Sequence, residues 1–204
     1  MIPLIRLKSK SIGLLLYLPL VIFLINMGLI GIGFDNVNIL IIFLQLFFIP
    51  LAFAGVLYLF YDLFNEKNFA FMLSFYKGQI GKILIAFFGM LLVPLFILLF
   101  TIDSIYAEFN LLPTLILLVS QLFLTGITAL VIYSLFKDIS ISISLFFLYI
   151  STELATFGTS EYLYHIMYLN LDGVFTFNSI ISLSVLNVFF GVIGYKVFKM
   201  YISV

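Results

Sequence analysis

Few side chains in this sequence are equipped for chemistry, and their spacing narrows the choice further. Gly158-Thr159-Ser160-Glu161 opens like the nucleophile motif of membrane serine proteases, with His165 downstream on the same segment. A serine nucleophile needs its base within hydrogen-bond reach. On one helix an i, i+5 pair points apart, and the glycine that usually closes such a motif is missing. A loop serine and an interfacial histidine are the simpler reading. No paired-glutamate signature of a membrane prenyl-protease is present. His165 is the only histidine and there is no cysteine, which excludes disulfides, thiolate sites and multi-histidine metal sites. No catalytic residue and no metal ligand is assigned, and no cofactor is expected on this chain.

The remaining candidates are polar residues inside apolar blocks. Glu153 follows Asp138 by a distance of roughly 22 Å along a helix. That puts it near the outer interface, where a carboxylate reaches water. Gln45 is the one strongly polar side chain in the interior of its block. Three stripes share helical faces: Gln121, Thr125 and Thr128; Ser140, Ser144 and Ser151; Asn187, Gly191 and Gly194. In bilayers, small and hydroxyl residues mark helix–helix contacts, and that is the first reading of each stripe. The second is a weakly polar lining for an amphipathic cargo, with Gln45, Ser140, Ser144 and Ser151 as the candidate lining. No cluster of ionisable residues falls mid-membrane, where a proton relay or ion-coupled pump would show one.

The elements that must position these residues are membrane helices. Of 204 residues, 65% are hydrophobic and 9% charged, against about 25% charged in soluble domains. At roughly 20 residues per crossing, the apolar blocks accommodate six spans in a single transmembrane domain, residues 1–204. The spans run over about 12–33, 37–60, 80–102, 111–136, 139–157 and 178–198. The first ends in Gly28, Gly31 and Gly33, which lack the strand–turn–helix setting of a nucleotide site and are expected to permit close helix packing. Pro50 and Pro94 fall inside spans and are expected to kink them where they are packed. Pro113 suits the first turn of the fourth span. The fifth opens with alternating Ile and Ser from Ile139, a strand-like pattern. An open strand would leave backbone groups unsatisfied in lipid, so helix is expected. Residues 158–177 are too polar to span; Tyr162, Tyr164, His165 and Tyr168 suit a headgroup-level segment.

Charge orients the bundle. With both termini inside, every basic residue is cytoplasmic: Arg6, Lys8, Lys10, Lys67, Lys77, Lys82, Lys137, Lys196 and Lys199. The outer loops hold Asp35, Asp103, Glu108, Glu161 and Asp172, with no Lys or Arg. This meets the positive-inside rule without exception. The net charge is zero and the basic residues are scattered, which argues against a nucleic-acid surface. Between spans two and three, residues 61–82 carry Phe69, Met72, Leu73 and Tyr76 on one helical stripe, after Glu66 and Lys67. A short amphipathic helix at the membrane surface is expected there.

This layout resembles the permease subunits of ABC-2 type transporters. In that family the loop after span two reads as a Glu, a Leu-rich helix, a Ser-containing turn and Gly-Lys; here Glu66, Met72-Leu73-Ser74 and Gly81-Lys82 occupy those places. Phe75-Tyr76-Lys77 stands where Pro and Arg are usual. Tyr164-His165 and Gly173 are similar to the family's outer segment between spans five and six. The resemblance implies that 66–78 is a coupling helix, engaging a separate cytoplasmic ATPase through Glu66, Phe69, Met72, Leu73, Tyr76 and Lys77, with Lys82 at the entry to span three. It implies an outer gate at Glu153, Tyr164 and His165, and a second copy of this or a related permease. The sequence holds no Gly-x-x-x-x-Gly-Lys-Ser/Thr loop, so ATP and Mg are expected on the partner ATPase. The implied setting is the bacterial cytoplasmic membrane. The implied cargo is an amphipathic or lipid-like molecule, foremost an antimicrobial or signalling peptide, for export or self-immunity. A membrane-embedded peptide-processing enzyme and a non-transporting interaction module are the alternatives.

Overall fold

The computed structural model describes residues 18–33, 36–64, 79–107, 109–156, 165–167, 169 and 177–203. Among them every regular element is helical. The six longer helices are α1 (Leu18–Gly31), α2 (Val37–Leu59), α3 (Ile80–Ile105), α4 (Leu111–Phe136), α5 (Ile139–Thr156) and α6 (Phe177–Ser203), with a single turn at Tyr61–Phe64. Five of them, α2 to α6, are long and apolar enough to cross a membrane, so the chain is a multi-pass membrane protein by length and composition. The described part of the first expected span is α1, 14 residues, or about 21 Å of helix; residues 12–17 lie outside the described residues.

The boundaries have local causes. Asn36 caps α2, its side-chain oxygen accepting from Ile39 N–H at 3.2 Å. Asp138 does the same for α5, accepting from Ser140 and Ile141 N–H at 2.7 and 3.1 Å. Between α4 and α5, Lys137 takes φ 53°, a left-handed cap that turns the chain back. The Ile-Ser alternation at 139–144 is helical, as the bilayer argument requires. Pro50 and Pro94 both lie within continuous helices.

Helix α4 is the centre. It packs against α2, α3, α5 and α6, most extensively against α6. The tight contacts are side chains seated on glycines: Phe87 on Gly55, Phe88 on Gly126, Phe123 on Gly191 and Ile127 on Gly194, where any Cβ would collide with the seated group. The Asn187/Gly191/Gly194 stripe is therefore a helix–helix contact. The first-span glycines are not: a Cβ on Gly28 or Gly31 would meet nothing within 4 Å. The expectation of close packing fails there because α1 turns that face to open space. Gly33 serves instead in a turn, with φ +77°. Ile85, Val93 and Phe100 on α3, and Val185 and Phe189 on α6, are more than half exposed. Such an apolar surface suits hydrocarbon, not water.

Candidate functional site

Three helices bring one polar residue each to the same level. At about 1.5 Å per residue, Gln45 lies roughly 21 Å from the C-terminal end of α2, Gln121 roughly 22 Å from that of α4, and Glu153 roughly 21 Å from the start of α5. The hydrogen bonds that join them show that these three distances run from the same end of the bundle. The side chains meet there with a non-helical stretch, His165 to Met167, which lies between α5 and α6 in sequence. Ile166, Met167 and Leu169 are buried.

Glu153 is fully buried and accepts from backbone. Ile166 N–H donates to its Oε1 at 2.5 Å, and Met167 N–H to its Oε2 at 3.1 Å. The Tyr149 hydroxyl, one turn earlier on α5, donates to Oε1. Ile166 N–H is shared with Tyr149 Oη at 3.0 Å. On the opposite side, the Ile166 carbonyl accepts from Gln121 Nε2 at 2.7 Å, and that nitrogen also donates to Gln45 Oε1 at 2.9 Å. Irregular backbone at membrane depth is tolerated only where its polar groups find partners. Here a carboxylate supplies acceptors and an amide supplies a donor. The arrangement also answers the cost of burying a charge, because the carboxylate is hydrogen-bonded on both oxygens. His165 Nδ1 stands 4.0 Å from Glu153 Oε1. One acceptor is unused: Gln121 Oε1 is buried with no hydrogen-bond partner among the described residues. A residue away, Ser120 Oγ accepts from Asn187 Nδ2 at 3.2 Å and ties α6 to the same layer.

The structure brings together some of the predicted residues and separates others. Gln45, Glu153 and His165 belong to one cluster. Glu153 does not reach water as expected: its relative exposure is 0% because Ile166 and Met167 cover it. Ile166 and Met167 are likewise buried against the bundle, and His165 is partly buried beside them. Ser140, Ser144 and Ser151 lie on the exposed side of α5, whereas Ser142, Phe146, Ile150 and Glu153 form its buried side. A shift of two residues is about 200° around a helix, so the serine stripe and Gln45 do not converge within one chain. Lys82 is exposed near the start of α3. Glu66, Phe69, Met72, Leu73, Tyr76, Lys77, Ser160 and Tyr164 lie outside the described residues.

Sequence reasoning missed Tyr149 and the backbone of Ile166 and Met167. The i, i+4 pairing of Tyr149 with Glu153 was a usable local signal. The role of Gln121 was read only in part. Its neighbours Thr125 and Thr128 turn back on their own helix, donating to Gln121 and Leu124 carbonyls at 2.7 and 2.9 Å. Gln121 alone reaches across. Comparison of the chain with protein-family models, curated proteins and solved structures finds no match.

Proposed function

We propose that this chain is the membrane permease subunit of an ATP-driven exporter. It works beside a second copy or a related permease and moves an amphipathic or hydrophobic peptide. The observation that carries this reading is the inserted stretch at Ile166 and Met167. One end of the bundle is occupied by backbone that α4 and α5 hold through hydrogen bonds, with α2 joined to them through Gln45. An element held this way can be released without unfolding the helices around it. A transport path needs such an element at one end and a drive at the other.

The drive enters through residues 66–78, between α2 and α3. In this reading a cytoplasmic ABC ATPase binds that segment, and ATP-driven closure displaces it. Helix α2 carries the displacement up to Gln45, and Gln45 is bonded to Gln121, which holds Ile166. The apolar outward faces of α3 and α6 meet lipid. The distribution of basic residues supports a cytoplasmic position for this segment, and the proposed setting is the bacterial cell membrane.

The enzyme alternative draws on the proximity of His165 to Glu153. A carboxylate that orients a catalytic base must hydrogen-bond it. At 4.0 Å it does not, and both carboxylate oxygens already accept from backbone. The transporter reading uses the same groups without that conflict.

The test is co-purification in detergent with a candidate ABC ATPase. Wild type is expected to retain the ATPase, and Leu73→Asp with Tyr76→Asp to release it while staying membrane-inserted. Failure of wild type to hold any ATPase removes the motor and with it the reading.

A further inference from the structure

We propose that Glu153, Tyr149, Gln121 and Gln45 form a peptide-binding site, and that residues 165–167 are its resident stand-in. The ligand class is an apolar peptide segment in non-helical conformation, recognised through its backbone. This deepens the exporter reading and rests on it for the identity of the cargo.

The contacts select backbone over side chain. Glu153 accepts from two successive N–H groups, of Ile166 and Met167, and Gln121 donates to the carbonyl of Ile166. None of these bonds depends on which side chains follow. The interior of a helix could not satisfy them, since its N–H and C=O groups are committed internally. The flanking side chains of Ile166, Met167 and Leu169 are apolar and buried, so the site takes apolar residues on either side of the bonded peptide unit.

The resident does not fill the site's hydrogen-bonding capacity. Gln121 is 0% exposed, yet its Oε1 has no partner among the described residues. A buried acceptor left without a donor costs on the order of 1–3 kcal/mol. A ligand presenting one further N–H beside the bonded carbonyl would satisfy it. Glu153 is also the only charged residue buried among the described ones. When the resident stretch withdraws, that buried carboxylate loses two backbone donors. An incoming peptide restores them, so release of the resident and capture of a ligand are the same exchange.

The tethered resident competes at an effective concentration of the millimolar order, so the test weakens it. Ile166→Pro removes the shared N–H and leaves every side chain of the site in place. The probe is the capped peptide acetyl-His-Ile-Met-Tyr-Leu-amide, titrated onto the full chain in nanodiscs. The expected result is binding to Ile166→Pro roughly tenfold or more tighter than to wild type. Binding is lost with Glu153→Gln or Gln121→Leu added, and with a probe N-methylated at Ile and Met. Equal uptake of both probes means apolar partition and overturns the proposal, as does a folded Ile166→Pro protein that binds neither. If Ile166→Pro does not fold, hydrogen exchange on wild type decides. Excess unmethylated probe must speed exchange of the Ile166 and Met167 amides, and unchanged rates refute the exchange. Peptide binding by a chain that recruits no ATPase would sink the exporter reading and leave the site standing. ATPase recruitment without peptide binding does the reverse.

Discussion

Two parts of this bundle are held together by different means. Through much of the interior, side chains sit on glycine backbones: Phe87 on Gly55, Phe88 on Gly126, Ile127 on Gly194. At the level of Gln45, Gln121 and Glu153 the contacts are hydrogen bonds, and one partner is irregular backbone. Close packing of rings on glycine has one good geometry and no substitute partner. Hydrogen bonds to a backbone segment can be exchanged for equivalent bonds to another. The dry part fixes the shape, and the polar layer provides the part that can change. This division also suits a bilayer, where apolar side chains gain little from meeting each other rather than lipid, and close fit has to hold the helices.

The largest effect is expected from bulk moved into the dry part. Gly126→Leu must displace the Phe88 ring, and overpacking of this kind costs about 3 kcal/mol. The expected outcome is a large drop in detergent melting temperature or loss of the monodisperse peak on size exclusion. If Gly126→Leu melts like wild type, the ring seat does not fix the bundle. A smaller effect belongs to the polar layer. Glu153→Ala leaves the Met167 N–H without its acceptor, at about 2 kcal/mol. That cost should appear as faster exchange at the Ile166 and Met167 amides, with the helices still protected. Uniform deprotection of all helices would mean that the two parts are one unit.

Smaller again is Gln121→Leu, about 1 kcal/mol, because only the donors to Ile166 and Gln45 are lost. Adding Gln45→Leu should cost less than the sum of the singles, since neither amide then faces a missing partner. Additive losses would show that the two glutamines act separately. At the bottom of the scale stand Gly28→Ala and Ser144→Ala, expected within about 0.5 kcal/mol of wild type. The first meets open space and the second is exposed. A marked loss from Ser144→Ala would assign the outer face of α5 a partner.

Most of the helical layout was legible in the sequence, because charged and capping residues interrupt apolar blocks of span length. Asn36, Asp138 and Lys137 act at the boundaries where their residue types point. The Ile-Ser alternation was resolved by asking where backbone bonds would go, and the answer held. The polar layer was only partly legible. Gln45 and Gln121 are far apart in sequence, and nothing local tells that they meet. Glu153 sits near a helix end, where water is the default neighbour; only tertiary folding of Ile166 and Met167 over it excludes water. The serine stripe of α5 lies on its exposed side, and its hydroxyls imply no partner by themselves. A helical hydroxyl can bond its own preceding turn, as Ser142 does to the Asp138 carbonyl at 2.7 Å. Spacing therefore identifies a face without saying what the face meets.

If the Ile166–Met167 stretch is an exchangeable occupant held by Glu153, its accessibility depends on that carboxylate. The chain has no native cysteine, so Met167→Cys gives a single reporter at a site only 2% exposed. The direct measurement is its labelling rate by a membrane-impermeant maleimide in nanodiscs, with Glu153 intact and with Glu153→Gln. Slow labelling is expected with Glu153 intact and a rise of roughly tenfold with Glu153→Gln, corresponding to about 1.4 kcal/mol of lost restraint. Equal rates in the two proteins would contradict it, because the carboxylate would then hold nothing in place.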